Sequence, residues 1–155
     1  VETALYLASQ PYVDKDRIAI WGWSFGGFNT IMSMSEGRKV FNCGVAVAPV
    51  TDWRFYDSAY TERYMRTPQE NPDGYDISPL HRSRNLSGKL LLCHGTADDN
   101  VHFQNTAEYS EVLVQQGTQF DMQVYTNRNH GISGGNTRLH LFNRIENFFD
   151  SNLMK

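Results

Sequence analysis

A serine stands between two glycines in the run Gly22-Trp23-Ser24-Phe25-Gly26. The residues before this run predict a strand and those after it predict a helix, which is the setting in which a G-x-S-x-G pattern marks a nucleophile. A sharp strand-to-helix turn crowds the serine backbone, and a glycine on either side leaves room for the neighbouring chain. The N–H of Phe25 at the helix N-terminus can then donate to a developing oxyanion. The run predicts that Ser24 is the nucleophile of an acyl-transfer reaction.

A nucleophilic serine needs a base, and the base needs an acid that orients it. Two later predicted strands end in suitable residues. Residues 89–93 run into a loop that holds Asp98 and Asp99, and residues 120–125 run into a glycine-flanked loop that holds His130. Either of the adjacent carboxylates could reach the imidazole, so the residues alone leave both as candidates. The chain order Ser, Asp, His is that of α/β-hydrolases.

The other histidines occupy positions that suit a general base less well. They are His81, His94, His102 and His140. His81 lies in an irregular region, His140 lies inside the last predicted helix, and His102 lies at a helix start. For His94, at a strand end, packing or a loop hydrogen bond is the expected role. His130 is therefore the expected base.

Metal-assisted hydrolysis is a competing chemistry. The residues that suggest it are His94, Asp98, Asp99 and His102. They lack the helical His-x-x-x-His spacing of zinc proteases, and a Ser-Asp-His triad already accounts for them. Cys43 and Cys93 lie in apolar runs, where free thiols are commonly buried and inert. The sequence predicts neither a metal site nor a cofactor.

Strand-like and helix-like stretches alternate along the chain, which predicts an α/β fold with a parallel sheet and helices on both faces. The predicted strands are residues 17–21, 43–48, 89–93 and 120–125. The predicted helices are residues 3–9, 26–36, 103–116 and 137–153. Ligands of such sheets bind beyond the carboxyl ends of the strands, where the candidate residues stand. Residues 49–83 have no regular pattern and predict a long lid or binding loop.

The last predicted helix carries large apolar residues at helical spacing. They are Leu139, Phe142, Ile145, Phe148 and Phe149. Such a stripe predicts the face of the helix that packs on the core.

Composition excludes several other classes of protein. The 155 residues carry a net charge of −3 without a basic stripe, so the electrostatic basis of nucleic-acid binding is missing. No apolar run approaches the roughly 20 residues that span a bilayer, so no membrane contact is expected. One domain is the expected count.

Three runs resemble the dipeptidyl peptidase IV branch of the prolyl oligopeptidase family. They are residues 22–27, 52–65 and 94–103. The first would suit many hydrolases, whereas the tyrosine-rich second and the Asp-Asp-Asn-Val segment of the third are typical of this branch. The resemblance implies a serine exopeptidase that releases N-terminal dipeptides with Pro or Ala second. A prolyl endopeptidase, or another acyl-peptide or ester hydrolase of the same fold, is the alternative.

The resemblance also assigns roles to individual residues. It makes Ser24 the nucleophile, Asp98 rather than Asp99 the acid, and His130 the base. A flat proline ring suits a pocket of aromatic faces. The positions that match this pocket are Val50, Trp53, Tyr56, Tyr60 and Val101. Asn100 matches a residue that contacts a substrate carbonyl.

The family pattern implies more than these residues. Residues 1–155 would form the C-terminal part of a hydrolase domain that follows a β-propeller, in an extracytoplasmic, homodimeric protein. The clamp for the substrate ammonium and a second oxyanion donor would precede Val1. Phe25 stands where many members have tyrosine, and Asn152 stands where animal members have a cysteine that pairs with the equivalent of Cys43. That disulfide is therefore absent, and residues 1–155 alone should be inactive and poorly soluble, with an unpaired apolar sheet edge.

Overall fold

A computed structural model describes residues 1–154 and contains a four-stranded sheet whose neighbouring strands pair in parallel. The strands lie in the order β1 (Ala19–Trp23), β2 (Cys43–Val47), β3 (Lys89–Gly95) and β4 (Asp121–Tyr125). The helices are α1 (Glu2–Ala8), α2 (Phe25–Met34), α3 (Ser58–Met65), α4 (Pro72–Tyr75), α5 (Pro79–Arg82), α6 (Gln104–Gln115) and α7 (Thr137–Leu153). Within the described residues, none of these helices combines the length and apolar character needed to cross a bilayer.

Apolar side chains on alternate positions of the strands build a core on each face of the sheet. On one face, Val45 and Leu91 pack with Ile145 of α7. On the other face, Ala46 and Leu92 belong to a second cluster. That cluster also holds Ala4 of α1, Ile31 and Met34 of α2, and Tyr109 and Leu113 of α6. The predicted parallel sheet with helices on both faces is confirmed.

The register of the strands brings their carboxyl ends to one edge of the sheet. Trp23 is paired with Val47, and Val47 with Cys93. Gly95 is paired with Tyr125. Parallel strands end side by side, so the loops that leave β1, β3 and β4 are neighbours. These are the loops that carry the candidate catalytic residues.

The face of α7 that packs on the core agrees only in part with the expected one, since Ile145, Phe148 and Phe149 pack there as predicted. Leu139 is 62% exposed and Phe142 is 44% exposed, so the prediction that they face the core is wrong. The buried positions are Leu141, Ile145 and Phe148. This i, i+4, i+7 row is one true face of a helix, and it meets the sheet instead.

Strand β1 lies at one edge of the sheet and exposes an apolar side chain there. Trp21 is 49% exposed, and its ring contacts Phe142 edge-on with the centroids 6.3 Å apart. Phe142 of α7 therefore contacts the exposed side chain of this edge strand rather than the core.

The sequence predicted an irregular connection over residues 49–83. The structure shows instead that this connection contains several short helices. Asp57 caps α3 by accepting from the N–H of Tyr60, and Asn71 caps α4 by accepting from the N–H of Gly74. Proline begins both α4 and α5. Caps and first-turn prolines favour helix starts even where no apolar period is visible. The helices are too short for periodicity to reveal them.

Candidate active site

The turn between β1 and α2 holds Ser24 in a strained backbone conformation. Its φ is 60° and its ψ is −121°, a region that non-glycine residues rarely adopt. A Cβ on Gly22 would overlap the backbone of Gly26, which explains the glycine before the serine. A Cβ on Gly26 would meet open space, so the expectation that this glycine also relieves crowding is wrong.

Two backbone features leave the turn open to chemistry. Ser24 occupies the N-cap position of α2, yet its side chain does not cap the helix. Phe25 is the first residue of α2, so its N–H has no acceptor within the helix and lies at the positive end of the helix dipole. A hydroxyl and a free N–H thus occupy adjacent positions at the sheet edge.

A close hydrogen bond joins His130 to Asp98. The Nδ1 of His130 lies 2.8 Å from the Oδ2 of Asp98, whose side chain is fully buried, while that of His130 is 23% exposed. The other carboxylate oxygen of Asp98 accepts from the N–H of Asn100 at 3.0 Å and of Val101 at 2.9 Å. A proton on Nδ1 leaves the Nε2 of His130 free to accept another.

These contacts also fix the charge of Asp98. Burial opposes ionisation, but the hydrogen bonds from His130, His94 and the N–H of Asn100 outweigh it and lower the pKa of Asp98. The carboxylate is therefore ionised throughout the neutral range. Asp99, by contrast, is exposed and lines an open cavity.

Two contacts hold the loop of His130 against the serine turn. The indole Nε1 of Trp23 donates to the backbone carbonyl of His130 at 3.0 Å. The guanidinium of Arg138 donates to the carbonyl of Gly131 at 2.6 Å and lies 5.4 Å from the centre of the Trp23 ring. Sequence reasoning missed both Trp23 and Arg138. Trp23 occupies a position that the G-x-S-x-G pattern leaves open to any residue. Its hydrogen bond to His130 joins segments that are far apart in sequence, so no local pattern indicates it.

The end of strand β3 also lies close to the loop that carries His130. The N–H of Ala97 donates to the carbonyl of Arg128 at 3.1 Å, and a Cβ on Gly95 would overlap that carbonyl. Glycine at the end of β3 therefore lets the loop lie directly on the strand. The loop reaches His130 two residues later.

The structure brings Asp98 and His130, the expected acid and base, together but does not join His130 to Ser24. Among the described residues, the Ser24 hydroxyl has no hydrogen-bond partner. The Trp23 contact nevertheless places the residue next to Ser24 against the loop of His130. Nucleophile–base hydrogen bonds are often long without substrate and tighten when it binds.

Three of the four remaining histidines have side-chain partners. His94 is fully buried and contacts Thr106 and Val101, in line with its expected packing role. The Nδ1 of His81 lies 2.8 Å from the hydroxyl of Ser78. The Nδ1 of His140 lies 3.0 Å from the hydroxyl of Tyr125. His102 is exposed.

Aromatic side chains gather beside the serine turn. Phe25 is 51% exposed and its ring stacks on that of Phe28, with the centroids 5.6 Å apart. The ring of Trp53 lies 5.7 Å from that of Phe25 and 6.1 Å from that of Tyr60. Tyr56 and Tyr60 meet edge to face at 5.4 Å. Val50 and Val101 are buried beneath Trp53 in the same apolar cluster.

Four of the six expected substrate residues line two different cavities, and Val50 and Val101 line neither of them. A cavity of about 270 Å³ is lined mostly by apolar rings, among them Phe25, Trp53 and Tyr60. A more open cavity of about 690 Å³ includes Tyr56 and Asn100, whose side chains are joined by a hydrogen bond of 2.8 Å from the Tyr56 hydroxyl. Burial, and to a lesser extent the charge of Asp57, raise the pKa of Tyr56, which keeps its hydroxyl a donor.

No group of three or more histidine, cysteine, aspartate or glutamate side chains suited to a metal ion occurs within residues 1–154. Cys43 and Cys93 are free and fully buried. Burial raises the pKa of Cys43 to about 11 and that of Cys93 to about 12. Both thiols are therefore protonated and inert, as expected.

Comparison with known proteins places this geometry in context. The chain is 47% identical over 152 residues to probable dipeptidyl-aminopeptidase B of Fusarium vanettenii and to dipeptidyl peptidase 4 of Felis catus. These matches cover 96% of this chain and 17% and 20% of the relatives, so the chain spans about a fifth of their length.

Solved structures give the same result. A crystal structure of Porphyromonas gingivalis dipeptidyl peptidase 4 matches 97% of this chain and 22% of its own chain, with a TM-score of 0.95 and 54% identity. This agreement confirms the α/β-hydrolase fold class that the sequence predicted. The model of the prolyl oligopeptidase family matches residues 1–155. The chain therefore belongs to the prolyl oligopeptidase family.

Proposed function

We propose that this chain carries the Ser24-Asp98-His130 triad of a serine exopeptidase that releases N-terminal dipeptides. The observation that carries the proposal is the 2.8 Å contact between His130 and the buried Asp98, at the sheet edge where Ser24 adopts its strained turn. Two relatives and a similar solved structure bear dipeptidyl peptidase names, which supports this class of substrate.

The proposed mechanism uses each of these residues in a separate step. His130 Nε2 removes the proton of Ser24 as the serine oxygen attacks the scissile carbonyl carbon. The resulting oxyanion accepts from the N–H of Phe25, and Asp98 stabilises the imidazolium. His130 then gives its proton to the departing amine, which leaves an acyl-enzyme. A water molecule, activated by the same imidazole, releases the dipeptide.

The aromatic surface supports a preference for proline or alanine as the second residue of the substrate. Trp53, Tyr56 and Tyr60 present three ring surfaces within 6.1 Å of one another. A pyrrolidine ring is flat, apolar and small enough to lie against such faces. In this proposal the amide of Asn100, held by Tyr56, orients a substrate carbonyl.

Hydrolysis of a Gly-Pro anilide by the intact protein tests the proposal. We expect the wild type to cleave it and Ser24→Ala to lower kcat by about 10⁴-fold or more. A Gly-Pro anilide with a blocked N-terminus and a simple acyl ester serve as comparison substrates. Preference for the blocked peptide would indicate a prolyl endopeptidase, and preference for the ester would indicate an esterase. Undiminished cleavage by the Ser24→Ala variant would refute the triad.

We extend the proposal to a homodimer formed in part by α7. Leu139 and Phe142 are 62% and 44% exposed and lie one turn apart on α7, which supports an apolar contact on this helix. Sedimentation of the intact wild type should give a dimer, and Leu139→Glu should weaken it. A monomeric wild type would contradict this extension.

A further inference from the structure

We propose that His94 is a positioning residue of the active site, which acts through Asp98 by holding the carboxylate that orients His130. The inference rests on the proposed function, because it gives a role to a neighbour of the proposed acid. It goes beyond the triad in assigning a second imidazole to the same carboxylate oxygen.

The placement of His94 is the first observation. His94 lies near the end of β3, four residues before Asp98, and both side chains are completely buried. Its Nε2 lies 3.2 Å from the Oδ2 of Asp98, the same oxygen that His130 contacts at 2.8 Å. The two imidazoles therefore meet one carboxylate oxygen from different elements, β3 and the loop after β4.

The partners of His94 fix which of its nitrogens carries the proton. Its Nε2 lies 2.8 Å from the carbonyl oxygen of Val101, which can only accept, so Nε2 bears the hydrogen. Its Nδ1 lies 2.7 Å from the hydroxyl of Thr106 on α6, which can donate to it. A neutral imidazole satisfies every one of these contacts. The Nε2–H of His94 thus donates to the carbonyl of Val101, and the Oδ2 of Asp98 lies 3.2 Å from the same nitrogen as a longer, secondary acceptor.

The consequence is a carboxylate held from four directions. One oxygen of Asp98 accepts the N–H groups of Asn100 and Val101, and the other accepts from His130 at 2.8 Å and lies 3.2 Å from the Nε2 of His94. His94 also binds the carbonyl of Val101, so it closes the turn that presents those N–H groups. Such supporting contacts orient a catalytic group and reduce the charge it directs at any single donor.

Among the described residues, the ionisable groups around Asp98, His94 and His130 are Tyr56 and Arg138, and the guanidinium of Arg138 contacts the carbonyl of Gly131 next to His130. Asp98 faces His94 and His130, and Tyr56 lies near enough for the charge of Asp98 to contribute to raising its pKa. His94 faces Asp98 and Thr106, and the ring of Phe103 meets it edge-on at 5.6 Å. A change in pH response on altering His94 therefore reports on Asp98 and His130.

Two amide substitutions separate the contacts of His94. In His94→Gln, the terminal amide reaches the place of Nε2 and retains a donor to Asp98. In His94→Asn, the shorter amide reaches the place of Nδ1, so it keeps the contact with Thr106 and loses the donor. Thr106→Val removes the opposite partner and is the matched control for disturbance of the buried site. All are made in the intact protein.

The measurement is the rate of covalent labelling by a fluorophosphonate as a function of pH. In this reaction the oxygen of Ser24 bonds to phosphorus, fluoride leaves and His130 takes the serine proton. With one donor fewer, Asp98 directs more charge at the His130 imidazolium and stabilises it. We expect His94→Asn to raise the pH of half-maximal rate by about half a unit for this reason. We also expect it to slow labelling about tenfold, because the carboxylate that orients His130 is held less firmly. His94→Gln and Thr106→Val should keep the midpoint of the wild type.

The opposite results would overturn the assignment. Equal losses in His94→Asn and His94→Gln with an unchanged midpoint would mean that His94 only fills space. If His94→Asn does not fold, the ring ¹⁵N spectrum of the wild type decides, because His94 must appear as the neutral Nε2–H form and must shift in Asp98→Asn. An Nδ1–H form would refute the role.

The same assay separates failure of this inference from failure of the proposed function. Labelling of Ser24 in a protein that does not cleave Gly-Pro substrates would refute the dipeptidyl peptidase proposal and leave the role of His94 open to the outcomes above. A wild type that is not labelled at Ser24 would refute the triad and the role of His94 with it.

Discussion

The indole of Trp23 donates a hydrogen bond of 3.0 Å to the backbone carbonyl of His130, although 107 positions separate them in sequence. Trp23 directly precedes Ser24, so one bond ties the turn of the proposed nucleophile to the loop of the proposed base. Replacing Trp23 by Phe keeps most of the ring and removes the donor. We expect kcat/KM to fall about tenfold and the free energy of unfolding to fall by about 1 kcal/mol.

Steady-state kinetics and chemical denaturation check this prediction in the intact protein. Trp21→Phe is the matched control, because Trp21 lies on the same strand but is 49% exposed and contacts only the ring of Phe142 among aromatic side chains of the described chain. Equal effects of the two substitutions on kcat/KM would show that the bond to His130 has no special importance.

Asp98 should make stability depend on pH in the acid range. Its pKa is held below the ordinary value of 3.8, so its contribution is complete above that value and is lost as the pH falls further. The wild type should lose on the order of 2 kcal/mol between pH 5 and pH 2 from this group, and Asp98→Asn should lose correspondingly less.

Urea denaturation at a series of pH values provides the measurement for Asp98. Asp99→Asn is the control, since Asp99 is its exposed neighbour and should leave the acid dependence unchanged. Parallel curves for the wild type and Asp98→Asn would argue against a charged, hydrogen-bonded carboxylate at this position.

The two glycines that flank Ser24 should respond oppositely to alanine. Gly22→Ala places a Cβ on the backbone of Gly26 and should destabilise the protein by about 2 kcal/mol or more. Gly26→Ala enters open space within α2 and should be neutral or stabilising by up to about 1 kcal/mol. Thermal unfolding of both variants distinguishes them, and a Gly26→Ala variant as unstable as Gly22→Ala would contradict the turn geometry.

The hydroxyl of Tyr56 should matter for substrate binding. It donates to the side chain of Asn100 at 2.8 Å, and Tyr56→Phe frees that amide to rotate. We expect KM for a Gly-Pro anilide to rise about fivefold with a smaller change in kcat, because the bond orients a binding group. Tyr12→Phe is the control, since Tyr12 is 79% exposed and lies outside both cavities. A fall in kcat without a change in KM would place Tyr56 in the chemical step instead.

Sequence patterns predicted the parts of the structure that depend on local regularity. The alternation of strand-like and helix-like stretches located the four strands, and the predicted ends of α7 agree with the observed helix, Thr137–Leu153. The G-x-S-x-G pattern located the strained residue Ser24 because the turn itself imposes that spacing. Each of these features depends on residues that are close together in the sequence, so a local pattern can predict it.

Other features depend on contacts between distant segments, and sequence reasoning missed them. Leu139 fits an apolar stripe as well as Leu141 does, and only packing on the sheet decides which is buried. The short helices of residues 49–83 leave too few turns for a period to show. The expectation for His94 was packing or a loop hydrogen bond. Its contact with Asp98 could not be predicted, because it depends on how the chain turns between the two residues.

Peptide mapping after fluorophosphonate labelling of the intact protein tests the central claim, that Ser24 is the nucleophile activated by His130. We predict a single modified site at Ser24, and its loss in both Ser24→Ala and His130→Gln under the same brief exposure. His140→Gln, which alters a histidine that contacts Tyr125, should label like the wild type. Modification of a different residue, or undiminished labelling of Ser24 in the His130→Gln variant, would contradict the account.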